Sequence, residues 1–155
     1  MNVSLREIDR YNYRECISLK VAGGQEKFVA PNVFSIAQSK IYPNLNPFTI
    51  YTGDEMVGFV MYGYNEDDGR FWLDRLMIAE KHQGKGYGRA ATLEVIERLS
   101  QIEDCREIYL SFVPENTGAE KLYSSIGFAR TGELEQGEIV MRLEIKNNAN
   151  RKSQI

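Results

Sequence analysis

Three glycines and two cations fall within seven residues near the middle of the chain, in the order Gln83-Gly84-Lys85-Gly86-Tyr87-Gly88-Arg89. An apolar strand-like run precedes this segment, and a long helical pattern follows it. The start of a helix exposes unpaired N–H groups and a partial positive charge. Residues 81–93 contain no acid to satisfy those groups, and the glycines allow positive φ and close approach to the backbone. The segment therefore predicts an anion site that fits a pyrophosphate.

Two well-known phosphate-binding motifs fit this segment badly. A Walker loop requires Ser or Thr after the lysine, whereas Lys85 is followed by Gly86. A dinucleotide fingerprint that begins at Gly84 would require Gly or Ala where Arg89 stands, and the acidic residue expected further on is missing. The alternative without a ligand is a solvated turn with coincidental glycines. The strand before the turn and the amphipathic helix after it argue against that alternative.

The composition bounds the class of protein. With 155 residues the chain has the size of one domain, and its net charge of −3 with a pI near 5.3 argues against a nucleic-acid partner. The first residues lack the apolar stretch of a signal peptide, and we find no apolar run long enough for a membrane span. Cys16 and Cys105 are expected to be free thiols in a reducing compartment. We expect a cytoplasmic protein without a membrane partner.

The only histidine of the chain, His82, restricts the possible chemistry further. A zinc site would need it together with distant cysteines or carboxylates, and a Ser-His-Asp system would also depend on it. Neither arrangement has supporting spacing, so we expect no metal.

The hydrophobic periodicity predicts one domain of mixed α and β structure. Strands are predicted over 3–8, 48–52, 56–62, 71–78, 108–113 and 139–145. Helices are predicted over 9–21, with Asp9 as N-cap, and over 34–41, 86–102 and 116–125. In the third helix Leu93, Ile96 and Leu99 are expected to form the buried face. The domain spans residues 1–145, and the polar tail 146–155 is predicted to be disordered.

Two segments together resemble the GCN5-related N-acetyltransferases, the GNAT family. The glycine segment matches the family's Q/R-x-x-G-x-G/A pattern, and Asn116 followed by residues 122–128 (LYSSIGF) matches its N…LYxxxGF element. The resemblance covers about residues 2–145. It implies an α+β GNAT-like fold, in which a central, mostly antiparallel sheet is splayed between two parallel strands and flanked by about four helices.

The resemblance also implies acetyl-CoA as co-substrate. Its pyrophosphate would meet the segment that begins at Gln83 and continues through Gly84, Lys85, Gly86, Tyr87, Gly88 and Arg89. Its pantetheine arm would run beside the backbone of Leu76, Met77 and Ile78. Asn116 would hold the cofactor near its thiol end, a role that is compatible with capping a helix.

Two residues are candidates for proton transfer. The resembled family uses the tyrosine equivalent to Tyr123 as the acid that protonates the leaving thiolate, and the alternative is a packing aromatic. Asp74 interrupts the apolar strand FWLDRLMI and by alternation shares a face with Trp72 and Leu76, so it is a candidate base or base-positioning group. The alternative for Asp74 is a structural pair with Arg75 or a lysine.

The acceptor is expected to be a small-molecule amine. The chain most resembles bacterial spermine/spermidine acetyltransferases, and a polyamine would favour carboxylates and aromatic faces. The candidates for binding it are Glu66, Asp67, Asp68 and Trp72. The alternative for the NEDDG segment is a charged hairpin turn. An aminoglycoside, an amino acid, a protein amine or a non-catalytic acetyl-CoA sensor stay open, and the resemblance makes a homodimer reasonable.

Overall fold

The computed structural model of the chain describes residues 2–146, with seven strands and four α-helices. The strands are β1 (Ser4–Glu7), β2 (Leu45–Thr52), β3 (Glu55–Asn65), β4 (Arg70–Ile78), β5 (Glu107–Phe112), β6 (Ala129–Glu135) and β7 (Glu138–Glu144). The helices are α1 (Tyr13–Ser18), α2 (Asn32–Ile41), α3 (Tyr87–Ser100) and α4 (Thr117–Ile126). Apart from its first residue, the predicted disordered tail lies outside the described residues.

All seven strands form one sheet in the order β1-β2-β3-β4-β5-β7-β6. Neighbouring strands are antiparallel except β4 and β5, which run parallel and pair only through Phe71 with Ile108 and Trp72 with Tyr109. Beyond Trp72, β4 has no strand partner on that side among the described residues. A gap therefore opens between the two parallel strands, which confirms the fold predicted from the resemblance.

Apolar side chains cover both faces of the sheet. On one face Val57 and Val60 of β3 pack in a core with Ala91, Val95 and Leu99 of α3. On the other face a second cluster joins Phe59, Met61 and Met77 of the sheet to Cys16 of α1, with Ile36 of α2 packed against it. The central strands are therefore buried from both sides, which gives the site a rigid support.

The buried face of α3 differs from the predicted one. Ala91, Val95 and Leu99 are buried, whereas the predicted core residue Leu93 is 45% exposed. Residues four apart lie above one another on a helix, so the three buried residues form one stripe. The prediction holds for Leu99, and Ile96 is partly buried against the same core. Hydrophobicity alone selects Leu93, whereas the orientation of the helix on the sheet buries Ala91 and Val95 instead.

The predicted start of the first helix was wrong, and one strand was not predicted. The first helix begins at Tyr13 because the Asp9 carboxylate accepts the N–H groups of Tyr11 and Asn12 in a turn before it. Strand β6 was not predicted, since its sequence ARTGELE is polar and almost all of it is exposed at the edge of the sheet. An edge strand without a buried face lacks the alternation that marks other strands.

A bulge interrupts β4 at Asp74. Arg75 lies opposite Met61 and Leu73 lies opposite Tyr62, so that Asp74 has no partner in β3. An extra residue reverses the alternation of side chains. Leu73 and Leu76 consequently both pack in the core beneath α3 and α4, although they are three residues apart. The expectation that Asp74 shares one face with Trp72 and Leu76 was therefore wrong.

Candidate functional site

A cleft of about 540 Å³ lies where β4 separates from β5 and α3 begins. Ten of the eleven predicted cofactor-binding residues line it: Leu76, Met77, Ile78, Gln83, Gly84, Gly86, Tyr87, Gly88, Arg89 and Asn116. The eleventh, Lys85, is exposed beside the cleft and does not line it. The fold thus brings the end of one strand and the start of one helix to the same opening.

The first turn of α3 offers free main-chain N–H groups. Gly86 is its N-cap, with φ of 90°. Among the described residues no side chain caps this helix, and its first turn contains no acid. Gly84 also has a positive φ, of 76°. Gly88 lies inside the helix with an ordinary φ, so the expectation of positive φ holds for two of the three glycines. Unpaired N–H groups at a helix start are suited to an anionic ligand.

Gln83 holds the turn in place. Its side-chain Nε2 donates to the carbonyl oxygen of Ile78 at 2.9 Å and to Oε1 of Gln25 at 2.9 Å. The first of these bonds ties the turn to the end of β4, and the second ties it to the segment before α2. The side chain therefore fixes the position of the glycine segment relative to the strand edge.

Asn116 begins α4 at the inner end of the cleft. Its Oδ1 accepts the N–H of Ala119 at 3.1 Å, so the residue caps the helix as expected. Arg89 of α3 donates to Oγ of Ser125 in α4 at 2.7 Å, which links the two helices that border the cleft.

A second cavity, of about 530 Å³, adjoins the first. Leu76, Asn116 and Tyr123 line both, so the two spaces meet at these residues. The carboxylates along its wall are Glu26, Asp68, Asp74, Glu135 and Glu138, and the cations are Lys27 and Arg75. Five potential negative charges against two positive ones give a wall that attracts cations.

Half of the predicted substrate-binding set faces this cavity. Asp68 and Trp72 line it, and Nε1 of Trp72 donates to Oδ2 of Asp68 at 2.9 Å. Glu66 and Asp67 are exposed and do not line it. Glu66 instead accepts a hydrogen bond from Nδ2 of Asn44 at 2.8 Å. For these two residues the alternative of a charged hairpin turn describes the structure better.

Sequence reasoning missed the acidic wall on the β6–β7 hairpin. Glu135 and Glu138 face one another across its turn, and Oε1 of Glu138 accepts a hydrogen bond from Oγ of Ser111 at 3.0 Å. The sequence EQGE did show two acids around a turn. Their relevance depends on β7 lying beside β5, which only the sheet order reveals.

Asp74 is the most perturbed carboxyl group on the cavity wall. Its Oδ2 is buried and has no hydrogen-bond partner among the described residues. Burial raises the pKa of this carboxyl group to about 7, the Arg75 charge opposes the rise, and the Asp68 charge adds to it. A carboxyl group with a pKa near neutrality can accept and release protons at physiological pH. The described residues show no ion pair between Asp74 and Arg75.

Tyr123 lies at the junction of the two cavities. Its ring packs edge-on against Phe128 with centroids 5.8 Å apart, and only 9% of the residue is exposed. Burial raises the pKa of its hydroxyl group above the usual value near 10. The hydroxyl group therefore remains protonated at neutral pH and can act as a proton donor. The same side chain therefore packs against Phe128 and lines both cavities.

Comparison with known proteins defines the class. The family model described as "Acetyltransferase (GNAT) family" matches residues 13–128. The chain is 34% identical over 152 residues to the spermine/spermidine N(1)-acetyltransferase of Bacillus subtilis, with 94% of this chain and all of that protein covered. A probable spermine N(1)-acetyltransferase of B. subtilis subsp. natto is 33% identical, with 94% of this chain and all of that protein covered.

A solved structure shows the same fold. The spermidine N-acetyltransferase of Vibrio cholerae, in complex with CoA and spermine, superposes with a TM-score of 0.72 at 22% identity, covering 92% of this chain and 94% of that chain. The chain therefore belongs to the GNAT acetyltransferase family. It is an acetyl-CoA-dependent N-acetyltransferase, which confirms the activity and the co-substrate predicted from the sequence.

Two features are absent from the part of the chain that the structure describes. Residues 2–146 contain no group of three or more His, Cys, Asp or Glu placed to hold a metal ion. None of the helices in this range is both long and apolar enough to cross a membrane.

Proposed function

We propose that this N-acetyltransferase transfers the acetyl group to a primary amine of a polyamine such as spermidine or spermine. The observation that carries the proposal is the acidic cavity that meets the cofactor cleft at Tyr123. A polyamine carries several positive charges and an apolar chain between them. Spread-out carboxylates with the Trp72 ring among them suit such a molecule better than they suit a neutral or acidic acceptor.

The chain's main-chain groups would hold acetyl-CoA. The N–H groups from Gly84 to Arg89 would bind the pyrophosphate, and the unpaired edge of β4 at residues 76–78 would bind the pantetheine amides. The free first turn of α3 and the strand gap fit these groups. Bound in this way, acetyl-CoA supplies the activated acetyl group as a thioester.

Asp74 would accept the proton that the attacking ammonium must lose. An alkylammonium has a pKa of about 10.4, so removing its proton at pH 7 costs roughly 4–5 kcal/mol. The carboxylate of Asp74 has a pKa of about 7 and a buried oxygen without a partner, which makes it a base matched to neutral pH. The freed amine can then form the new C–N bond to the acetyl carbonyl carbon.

Two further groups would complete the transfer. A main-chain N–H of the Met77–Ile78 region would donate to the carbonyl oxygen, where negative charge develops. Tyr123 would give its proton to the sulfur as the C–S bond breaks, and the tyrosinate would regain a proton from solvent. The nitrogen would lose its second proton to solvent as the amide forms, and Asp74 would release to solvent the proton that it accepted. The net reaction converts an ammonium group and the thioester into an acetylamide, the free thiol of coenzyme A and one released proton.

The remaining carboxylates would bind the distal ammonium groups of the substrate. Glu138 is half-buried and fixed by Ser111, and Asp68 is fixed by Trp72. These acids lie on opposite sides of β5, so the substrate would extend across the strand gap. The two Bacillus subtilis relatives, a spermine/spermidine N(1)-acetyltransferase and a probable spermine N(1)-acetyltransferase, support the same substrate class.

The proposal has three further parts. Residues 1–145 would form a single acetyltransferase domain, the protein would be a homodimer, and it would act in the cytoplasm. The family resemblance supports the dimer, and light scattering after gel filtration measures it directly. A mass of one chain would remove the dimer from the proposal.

Thiol release from acetyl-CoA tests the function. The panel contains spermidine, spermine, amino acids, aminoglycosides and a lysine-containing peptide. We expect the highest kcat/KM with spermidine or spermine. A higher value with an aminoglycoside, an amino acid or the peptide would replace the polyamine as substrate. No release with any amine, despite tight binding of coenzyme A, would favour a non-catalytic sensor.

A further inference from the structure

Arg75 makes an unusual set of contacts beside the bulge. Its Nη1 donates to the main-chain carbonyl oxygen of Asp74 at 2.9 Å, and its Nη2 lies 3.4 Å from Oε1 of Gln38 in α2. Its Nε is buried without a hydrogen-bond partner among the described residues. A buried guanidinium nitrogen without a partner costs free energy. The contacts of Arg75 therefore leave part of its hydrogen-bonding capacity unused.

The contact with the Asp74 carbonyl stabilises the bulge. A bulged residue leaves main-chain groups outside the ladder of the sheet, and a buried carbonyl group needs a donor. Arg75 supplies that donor from the next residue, and Gln38 connects the same guanidinium to α2. One side chain thus joins the bulged residue of the strand to a helix.

The same contact determines how the positive charge acts on the carboxylate. Arg75 binds the main chain of Asp74 and forms no ion pair with its carboxylate among the described contacts. A direct ion pair would occupy the carboxylate oxygens and strongly favour the charged form. A nearby cation that bonds elsewhere favours the charged form moderately and leaves the carboxylate without an ion-pair partner.

The surroundings of Asp74 are otherwise mostly acidic. Besides Asp74 and Arg75, the titratable and charged side chains of the cavity wall are Asp68 from the β3–β4 turn, Glu26 and Lys27 from the segment before α2, Tyr123 from α4, and Glu135 and Glu138 from the β6–β7 hairpin. Lys27 is exposed, whereas Arg75 is partly buried beside the carboxyl group. Burial and Asp68 raise the pKa of Asp74, and Arg75 opposes them.

We propose that Arg75 is a positioning residue, which holds the bulge around Asp74, leaves its carboxylate without an ion pair and favours the ionised form of that carboxylate. This inference rests on the proposed role of Asp74 as the base. It assigns to one arginine both the orientation of that base and the pH range in which the base works.

Titration of Asp74 tests the proposal directly. Protein labelled with ¹³C at the aspartate carboxyl carbons is titrated by NMR, and Asp74→Asn identifies the resonance. In Arg75→Met we expect the pKa of Asp74 to rise by about one unit, because the opposing positive charge is lost. Arg75→Lys retains the charge and should keep the pKa close to that of the wild type.

The pH profile provides the second readout. The acid limb of kcat/KM with one fixed amine should move to higher pH in Arg75→Met by about the same amount. Arg70→Met is the matched control, because Arg70 lies on the same strand, pairs with Glu133 and does not line the cavity. In this control variant the pH of the acid limb of kcat/KM should be unchanged. Should Arg75→Met fail to fold, Arg75→Gln allows the same comparison.

The outcomes separate this inference from the proposed function. A uniform loss of activity in Arg75→Met, with an unchanged titration of Asp74 and an unchanged acid limb, would overturn the inference. The NMR titration needs no amine substrate. If the wild type releases no thiol with polyamines, the proposed function fails, and the titration still decides whether Arg75 favours the ionised form of Asp74.

Discussion

The two cavities that meet at Tyr123 differ in the kind of group that would bind a ligand. In the cleft proposed for the cofactor, the groups that would bind the ligand belong to the main chain, namely the unpaired edge of β4 and the first turn of α3. In the second cavity, proposed for the acceptor, they belong to side chains from residues of the segment before α2, the β3–β4 turn, two strands, α4 and the β6–β7 hairpin. The first depends on how the backbone is shaped. The second depends on which side chains the tertiary structure brings together.

This difference indicates which site is free to change. A cleft made of peptide groups retains its chemistry as long as its glycines and strand gap are present. A cavity of side chains can be altered by single substitutions without disturbing the fold. We infer that changes of acceptor require few mutations, whereas the cofactor site is fixed by the architecture.

The largest effect is expected from a substitution in the cavity proposed for the acceptor. In Asp74→Asn we expect kcat to fall about 100-fold or more at pH 7, the magnitude typical of losing a general base. Calorimetry should find the affinity for coenzyme A nearly unchanged, because Asp74 does not line the cofactor cleft. Near-normal turnover in this variant would remove Asp74 from the mechanism.

The stability of the same variant supplies its control. The folded-state pKa of Asp74 is raised from 3.8 to about 7, so between these values the folded chain binds its proton more tightly than the unfolded chain. The contribution of this group to the free energy of unfolding therefore falls as pH rises through that window. Thermal melts should show Asp74→Asn gaining stability relative to the wild type from pH 4 to pH 8. The opposite trend would contradict the raised pKa.

Tyr123 tests whether the two cavities act as one site. Tyr123→Phe should lower kcat at least about tenfold while the affinity for coenzyme A is nearly kept, because only the proton donor is lost. Steady-state kinetics and calorimetry measure the two quantities. Unchanged turnover would leave the tyrosine with a packing role against Phe128 alone.

A matched pair of glycines tests the cofactor side. Gly84 and Gly132 both have positive φ, of 76° and 90°, and both have open space where a Cβ would lie. Valine at either position should cost roughly 1–2 kcal/mol of unfolding free energy. In Gly84→Val alone, displaced N–H groups should weaken coenzyme A binding about tenfold, equivalent to losing about 1.4 kcal/mol. Equal affinities in Gly84→Val and Gly132→Val would exclude the turn from the cofactor site.

The smallest effect concerns the far wall of the acceptor cavity. Glu138→Gln should raise the KM for spermine about threefold with little change in kcat, as expected for losing one partly exposed charge pair of roughly 0.2–1 kcal/mol. Glu133→Gln is the control, because Glu133 pairs with Arg70 and does not line the cavity. An equal response of the two variants would indicate a general charge effect.

The contrast between the cavities also explains what the sequence revealed. The free helix start at the glycine segment could be predicted because local backbone physics already determines it, whereas its role as an anion site stays a prediction. The fold followed from the resemblance. Glu138 was not predicted, since its place depends on the pairing of β5 with β7 across a distance in the sequence. The bulge at Asp74 was not predicted either, because register comes from the packing of both strands.

The short pairing of β4 with β5 affects how resistant the protein is to proteolysis in a cell. Beyond Trp72 the peptide groups on that side of β4 lack a strand partner among the described residues. A ligand that bonds to these groups binds the native chain and not the unfolded chain, so it raises the unfolding free energy as its concentration rises. At one hundred times its dissociation constant, a ligand adds about 2.7 kcal/mol to the unfolding free energy. Resistance to proteolysis should accordingly follow the metabolic supply of acetyl-CoA.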